Sequence, residues 1–323
     1  MRARLDGNRG FTLVEMMVAM ALLSVIIGGM FSGISAIGRA QASSASVNLA
    51  QNGVRAAFEM MSRDIEMAAA GAKSGTITFA NGTPTTTQAI VVTDSSTGPD
   101  KIDLVLVDPT AAATLLVSYG GVQTSMTVDN TTNFKAGDVI QLSDLTSATL
   151  LTVTGFGTNG SNPTITVTAP TNTLPKTYTP GSYVFRSRRV TYSIDTTTFG
   201  ANDPLLMIDP DGPGALAAQP IAEGIEDLQI AMGFDLNADG NLVSVGAAAA
   251  DDDWVYNVAA ETAPATLALL RAVRVTLISR PSVMTAGQIG RRPAAEDHAI
   301  AGSTDSYPRR VLRSELTVRN FNL

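Results

Sequence analysis

The hydrophobic pattern divides the chain into a helical part and a β-rich part. Residues 16–38 contain no charged side chain, and from Val47 onward apolar residues recur at spacings of seven, four and three positions. These spacings place the side chains on one stripe of a helix. The stripe consists of Val47, Val54, Phe58, Met61, Ile65 and Ala68. The pattern therefore predicts one long helix over residues 11–71, with Gly71 as its C-terminal cap.

After Gly71 the chain changes to short runs of Thr, Val, Ile and Leu separated by Gly, Pro, Asn and Asp, which is typical of strands and turns. No further long amphipathic helix is predicted. The predicted strands are Thr76–Phe79, Ala89–Val92, Lys101–Val107, Leu115–Tyr119, Ser125–Val128, Asp138–Leu142, Leu150–Thr154, Thr164–Thr168, Tyr183–Ile194, Leu205–Ile208, Ile225–Phe234, Arg271–Ser279 and Val311–Arg319. The expected fold class is α+β, with the long N-terminal helix packed on a β-rich globular domain.

The β-rich part has two regions of different composition. Residues 72–180 are rich in threonine and glycine and poor in charge, whereas residues 181–323 contain the stronger strands and most of the arginines. We expect the first region to be a β insertion or subdomain. The second region is expected to supply the core sheet that packs on the helix.

The uncharged stretch is long enough to cross a membrane. As a helix, residues 16–38 extend about 35 Å at ~1.5 Å per residue, against about 30 Å of bilayer hydrocarbon. Residues 1–10 carry three arginines and one aspartate, so the positive-inside rule predicts a cytoplasmic N-terminus and a globular domain on the far side. We expect a single transmembrane segment, residues 13–38.

One acidic residue, Glu15, interrupts this apolar stretch. An acidic side chain at such a position costs on the order of 2.5–3.5 kcal/mol and is usually retained for a function. It requires a cationic partner. An ordinary secretory signal would instead have small residues at a cleavage site after the apolar run, and residues 34–42 offer only imperfect candidates.

The sequence Gly10-Phe11-Thr12-Leu13-Val14-Glu15, behind a basic leader, resembles the processing motif of type IV pilins and type II secretion pseudopilins. The resemblance implies that residues 1–10 are a leader peptide, that a prepilin peptidase cuts after Gly10, and that Phe11 becomes the methylated N-terminus. The new ammonium group at Phe11 would be a partner for Glu15 of the same or a neighbouring subunit.

Four later segments, residues 190–210, 221–240, 271–281 and 309–323, resemble blocks of PilW-type minor pilins, which are similar to J-type pseudopilins of type II secretion. This resemblance implies an inner-membrane subunit, later in the pilus, that takes part in initiating pilus assembly and lies at the filament tip. The implied partners are prepilin peptidase, other minor pilins, the major pilin and the inner-membrane assembly machinery. The alternatives are a J-type pseudopilin, or a tip module in which residues 72–180 bind a surface receptor or DNA.

Composition and motifs argue against an enzyme. The chain has no cysteine and one histidine, His298, in a Pro/Ala/Gly-rich segment where we expect a loop. No nucleotide-binding, zinc-protease or serine-hydrolase motif occurs in a supporting context. The net charge of −7 does not favour nucleic acid as a partner. No cofactor is expected, apart from one calcium alternative.

That alternative rests on Asp235, Asn237 and Asp239, followed by Gly240, which have the spacing of a calcium-binding loop. The position of the final bidentate glutamate is occupied by Gly246. We therefore favour an Asp-Gly turn that joins the strand over 225–234 to a short partner strand.

Arginines recur along three predicted strands, at positions Arg186, Arg188, Arg189, Arg271, Arg274, Arg280, Arg309, Arg310, Arg313 and Arg319. A basic patch for DNA, a surface sugar or a partner pilin is one interpretation. Solvated strand faces are the favoured interpretation, because alternate positions of a strand face opposite sides.

Overall fold

The computed structural model describes residues 12–81, 86–198, 203–212, 216–237, 239–243, 253–258, 261–282, 284 and 289–321. The predicted cleavage position between Gly10 and Phe11 lies outside these residues, as does Gly246.

A single long helix, α1, begins at Leu13 and ends at Met67, with Thr12 as its N-cap. The predicted cap at Gly71 is wrong. The C-cap is Ala68, which has φ −60° and ψ 155°, and Ala69 then takes the left-handed region at φ 62°. Gly71 lies in the turn that follows, at φ 74°, where an added β-carbon would lie 3.0 Å from Gln141 Nε2.

The C-terminal half of α1 packs on the β domain through the predicted apolar stripe. Val54, Met61, Ile65 and Ala68 are buried, and Phe58 is half-buried against the same core. Burying a large aliphatic side chain contributes about 1.5–3 kcal/mol. The stripe therefore holds this half of the helix on the domain.

Eleven strands form the first sheet. They are β1 (Thr76–Phe79), β2 (Thr86–Gln88), β3 (Ile90–Thr93), β4 (Lys101–Thr114), β5 (Ser125–Thr127), β6 (Val139–Ser143), β7 (Ala148–Asn159), β8 (Asn162–Val167), β9 (Tyr183–Asp195), β10 (Leu205–Asp209) and β11 (Gln219–Glu223). The long strand β9 pairs with β4 on one edge, and with β6 and then β10 on the other. The sheet therefore crosses the compositional boundary at residue 180.

Four antiparallel strands form the second sheet, in the order β13-β12-β14-β15. These are β12 (Ile225–Phe234), β13 (Trp254–Val255), β14 (Leu270–Ser279) and β15 (Arg310–Thr317). A 3-10 helix over Arg319–Phe321 follows. There the Asn320 side-chain amide donates to the carbonyl of Ala68 at 2.8 Å, so the end of the domain contacts the end of α1.

The short strand Thr76–Phe79 is confirmed with its bounds, whereas the strand predicted over Lys101–Val107 extends to Thr114. The strand Ile225–Phe234 is confirmed with its bounds. The predicted strand Leu115–Tyr119 is wrong, because Leu115 and Tyr119 make only isolated bridges, to Val128 and Tyr178. The structure adds three short strands that the pattern did not predict: β2, β11 and β13.

Three buried clusters occur among the described residues, and two of them contain most of the core. The larger cluster joins α1 to β1, β3, β4, β9 and the second sheet. The smaller cluster collects side chains from Ala80 to Val184, including Tyr119, Ile165 and Tyr178, and lies under the threonine-rich strands. The division of the chain into residues 72–180 and 181–323 stays a prediction.

Candidate functional site

The N-terminus of α1 places Glu15 in a reciprocal cap. The Thr12 hydroxyl accepts a hydrogen bond from the Glu15 backbone N–H at 3.2 Å, and Glu15 Oε2 accepts one from the Thr12 backbone N–H at 2.8 Å. The sequence Thr-x-x-Glu forms this capping box because each side chain reaches an unpaired N–H of the first turn. The Glu15 carboxylate is thereby held at the very start of the helix, against Thr12.

The first half of α1 makes no contact with the β domain, and its described side chains are exposed from Thr12 to Ala42. Its large apolar residues include Leu13, Val25 and Phe31, each at least 70% exposed. Monomeric soluble proteins rarely expose an apolar surface of this extent. Among the described residues, α1 is the one helix long and apolar enough to cross a membrane.

A polar contact connects α1 to the first sheet near the C-terminal end of the apolar stripe. Asp64, 4% exposed on α1, accepts a hydrogen bond from the Tyr192 hydroxyl at 2.7 Å. Arg188 lies 3.4 Å from the other carboxylate oxygen. Both partners come from β9, so this site fixes the helix against the strand at the centre of the sheet.

The arginines do not simply lie on solvated strand faces, and that interpretation is wrong for Arg274, Arg280 and Arg309. Arg274 is buried, lies 4.0 Å from the centroid of the Trp254 ring and donates to Glu296 Oε2 at 2.7 Å. Arg280 stacks on Tyr307. A buried cation needs such partners because desolvation is costly.

Arg309 lies between two acids: its side chain donates to Glu226 Oε2 at 2.7 Å and to Asp305 Oδ1 at 2.6 Å. Sequence reasoning missed the pair with Glu226 because the two residues lie 83 positions apart in the chain. It also missed Asp305, although this acid lies only four residues before Arg309. By contrast, Arg313 and Arg319 keep side chains that are 52% and 75% exposed. Several arginines therefore pair with acids instead of forming one basic patch; these are Arg274, Arg309, Arg313 and Arg319.

His298 has partners that the sequence did not indicate. Its Nδ1 lies 2.8 Å from Asp227 Oδ2, and Arg292 Nη1 lies 2.9 Å from the same oxygen. Asp227 is fully buried in β12. The segment that carries Arg292 and His298 is thereby connected to the second sheet through hydrogen bonds to the Asp227 carboxylate.

The candidate calcium residues are only partly brought together. The Asp239 backbone N–H donates to Asn237 Oδ1 at 3.1 Å, and the Asn241 N–H donates to Asp239 Oδ1 at 2.7 Å. Asp235 instead lies 3.6 Å from Arg271 Nε. Among the described residues, no group of three or more His, Cys, Asp or Glu side chains is arranged to hold a metal ion. Calcium binding here stays an untested alternative.

The favoured turn is also corrected. Strand β12 does pair with a short partner, but that partner is β13, at Trp254–Val255. The Asp-Gly pair at 239–240 therefore does not close a tight hairpin. Residues 235–253 form a longer connection, of which 235–237, 239–243 and Asp253 are described.

Buried carboxyl groups lie where the two sheets meet. Asp100 accepts hydrogen bonds from the backbone N–H groups of Ser95 and Ile230, both at 2.8 Å. Burial raises its pKa to about 8 despite these hydrogen bonds. Burial also raises the pKa of Asp94, to about 6, with a further contribution from Asp297. Asp100 joins the β3–β4 connection to β12.

Comparison with known families gives two matches. Residues 5–31 match the prokaryotic N-terminal methylation motif, and residues 191–320 match the family of type IV pilus-assembly protein W, PilW. No curated protein and no solved structure gives a significant match. The first match covers the cleavage position and the start of α1, and the second covers the end of β9 and the whole second sheet. With the long exposed helix and the β-rich domain, both matches support a membrane-anchored type IV minor pilin of the PilW type.

Proposed function

We propose that the mature subunit begins at Phe11 and is held in the filament by its helix. Prepilin peptidase would remove residues 1–10 after Gly10 and methylate Phe11. The observation that carries this proposal is the capping box, since it places the Glu15 carboxylate 2.8 Å from the Thr12 nitrogen. In the mature chain the N-terminal ammonium group belongs to Phe11, the residue before Thr12, and would lie within reach of this carboxylate. Opposite charges at such a distance attract strongly in an apolar environment.

We also propose the topology. The subunit waits in the inner membrane with its N-terminus cytoplasmic and its β domain periplasmic, and it reaches the extracellular filament on assembly. The three arginines before residue 10 support this orientation. Glu15, the one charged residue between Thr12 and Gly38, would pair with the amine of its own chain or of a neighbouring pilin.

A role in initiation at the pilus tip is the finer proposal. The β domain carries a second buried cluster that includes no side chain of α1, so the domain is larger than the part that packs on the helix. A large domain is accommodated most easily at a filament end, where no further subunit stacks above it. Its partners there are other minor pilins and, below them, the major pilin. The match to PilW favours a type IV pilus over a type II secretion filament.

Intact-mass measurement tests the processing step. The protein is purified from cells with and without prepilin peptidase, and we expect loss of residues 1–10 plus one methyl group only where the peptidase is present. A chain of unchanged mass, or one cut after residue 38, would contradict the proposal.

The role of Glu15 is tested separately, in peptidase-positive cells. We expect Glu15→Leu to be processed normally but to reduce surface pili to a small fraction of wild type. Glu59→Leu, on an exposed position of the same helix, serves as the matched control. Equal piliation in the two variants would argue against charge pairing at the helix start.

A further inference from the structure

A cleft of about 310 Å³ opens on one face of the first sheet. Its floor is formed by residues that pair directly across strands, Thr152 with Val139 and Val139 with Ser187, and that therefore share a face. Phe79, Asn81 and Arg189 also line the cleft. Its volume is at the lower end of the range of small-molecule sites, roughly 300–1,000 Å³.

Arg189 extends over this cleft and is held there by an aromatic ring. Its guanidinium carbon lies 5.3 Å from the centroid of Phe79, within the range of a cation–π contact. In the described part of the chain, no carboxylate lies within ion-pair distance of Arg189, whereas Arg186 and Arg188 on the same strand pair with Asp108 and Asp64. The N–H fork of Arg189 is thus oriented but has no acceptor among the described residues.

The backbone of Arg189 does not hydrogen-bond to β4. Val105 lies opposite Arg189 across β4 and β9, and its N–H donates to the Ala89 carbonyl, away from β9. In an antiparallel pair, the backbone groups of two opposite residues either both point towards the partner strand or both point away from it. Because the Val105 N–H points away from β9, the Arg189 N–H and C=O point away from β4. There β6 ends its pairing at Ser187 and β10 begins at Thr191.

The nearby acid, Asp211, is engaged elsewhere. Its Oδ2 accepts from the Leu216 N–H at 3.1 Å. Asp211 also shares a hydrogen bond with the Asp209 carboxyl. Burial is the main cause that raises the pKa of Asp209, and this hydrogen bond is the second. Asp211 therefore borders the cleft without neutralising Arg189.

We propose that this cleft binds a small organic carboxylate of about the size of a hexuronate, with Arg189 as its carboxylate subsite. A guanidinium fork matches a carboxylate with two parallel hydrogen bonds. Phe79 lowers the entropic cost of binding because it already holds the fork in place. The Thr152 hydroxyl and the Asn81 side-chain amide would form hydrogen bonds with hydroxyl groups of the ligand. Asn81 Oδ1 accepts a hydrogen bond from the Thr171 N–H, so its NH₂ group is the one that would donate to the ligand.

The test uses the full chain in detergent micelles, with glucuronate as the probe and glucose as its neutral counterpart, by isothermal titration calorimetry. We expect saturable glucuronate binding and at least tenfold weaker glucose binding. Arg189→Met, which keeps the stem over Phe79, is expected to weaken glucuronate binding at least tenfold. Arg55→Met, at an exposed position of α1, is the control and should change nothing.

Several results would overturn the proposal: no glucuronate binding, equal binding of glucose and glucuronate, or equal losses in the two arginine variants. Thr152→Val provides a second variant if Arg189→Met unfolds. It keeps the side-chain shape, and removing one ligand hydrogen bond is expected to weaken binding about threefold to tenfold. Unchanged binding in Thr152→Val would also count against the cleft as the site.

Discussion

Asp64 is an acid on the buried stripe of a helix, flanked along that stripe by Met61 and Ile65. It tolerates burial because the Tyr192 hydroxyl donates to it and Arg188 lies beside it. Buried polar groups are stabilising only while their partners are present. This residue therefore determines the register between α1 and β9, since a displaced helix would leave both Asp64 and Tyr192 without partners.

We expect Asp64→Ala to lower the free energy of unfolding by about 1–3 kcal/mol, because the Tyr192 hydroxyl is then left buried without an acceptor. The measurement is chemical unfolding in detergent. Glu59→Ala, on the exposed side of the same helix, should change the stability by less than about 0.5 kcal/mol.

A double-mutant cycle makes this prediction specific. Tyr192→Phe combined with Asp64→Ala should cost less than the sum of the two single variants, because each removes the same hydrogen bond. Additive losses would show that the two side chains act independently.

At the scale of elements, the paired strands β4 and β9 flank the threonine-rich segment 115–182 in sequence, and we call these two strands the frame. The last residue of β4, Thr114, pairs with the first residue of β9, Tyr183. Residues 115–182, which include β5 to β8, are therefore inserted between two strand ends that pair directly with each other. The threonine-rich region defined by composition, residues 72–180, includes β4, which is itself one of the two frame strands.

The sequence predicted local features and missed those that depend on distant partners. Alternation and apolar runs gave the strand β12 with its bounds, and a charge in an apolar run singled out Glu15. The two-residue strand β13 could not be predicted, because its pairing with β12 decides it. The pairing of Arg309 with Glu226 and the cleft beside Arg189 arise from segments far apart in sequence.

Two deletions separate the frame from the rest of the domain. Replacing residues 115–182 by Asn-Gly should leave a chain that folds with reduced stability, because an Asn-Gly turn can join directly paired strand ends while β1 and β9 lose neighbours. Deleting residues 72–180 should prevent folding, because it removes β4. Circular dichroism and cooperative unfolding would measure both. If both deletions fold equally well, β4 is not needed as a frame strand.

At the scale of the whole molecule, buried carboxyl groups connect the two sheets. Asp100 in the β3–β4 connection accepts from Ile230 in β12, and its own N–H donates to the Leu228 carbonyl. Burial raises the pKa of Asp100 to about 8, so the folded chain holds a proton that the unfolded chain has already released. Stability from this proton is complete below the ordinary aspartate pKa of about 4 and is lost as the pH rises towards 8.

We expect the free energy of unfolding to fall as the pH rises from 5 to 8.5, with up to about 1.4 kcal/mol per pH unit from one such proton. Asp100→Asn should be less stable at pH 5, because it loses one accepted hydrogen bond, but should show a shallower pH dependence. Asp195→Asn is the control: Thr197 and Thr198 hydroxyls lower the pKa of exposed Asp195, so it stays charged over this range. An unchanged slope in Asp100→Asn would refute the assignment.

The contact between Arg274 and Trp254 has a spectroscopic consequence. Trp254 is the one tryptophan in the chain, is 3% exposed and lies on the edge strand of the second sheet with a guanidinium 4.0 Å from its ring. Its fluorescence therefore reports on the second sheet alone, without any introduced label. A change in emission during filament assembly would locate a rearrangement to that sheet, and an unchanged emission would indicate that the sheet joins the filament as a rigid unit.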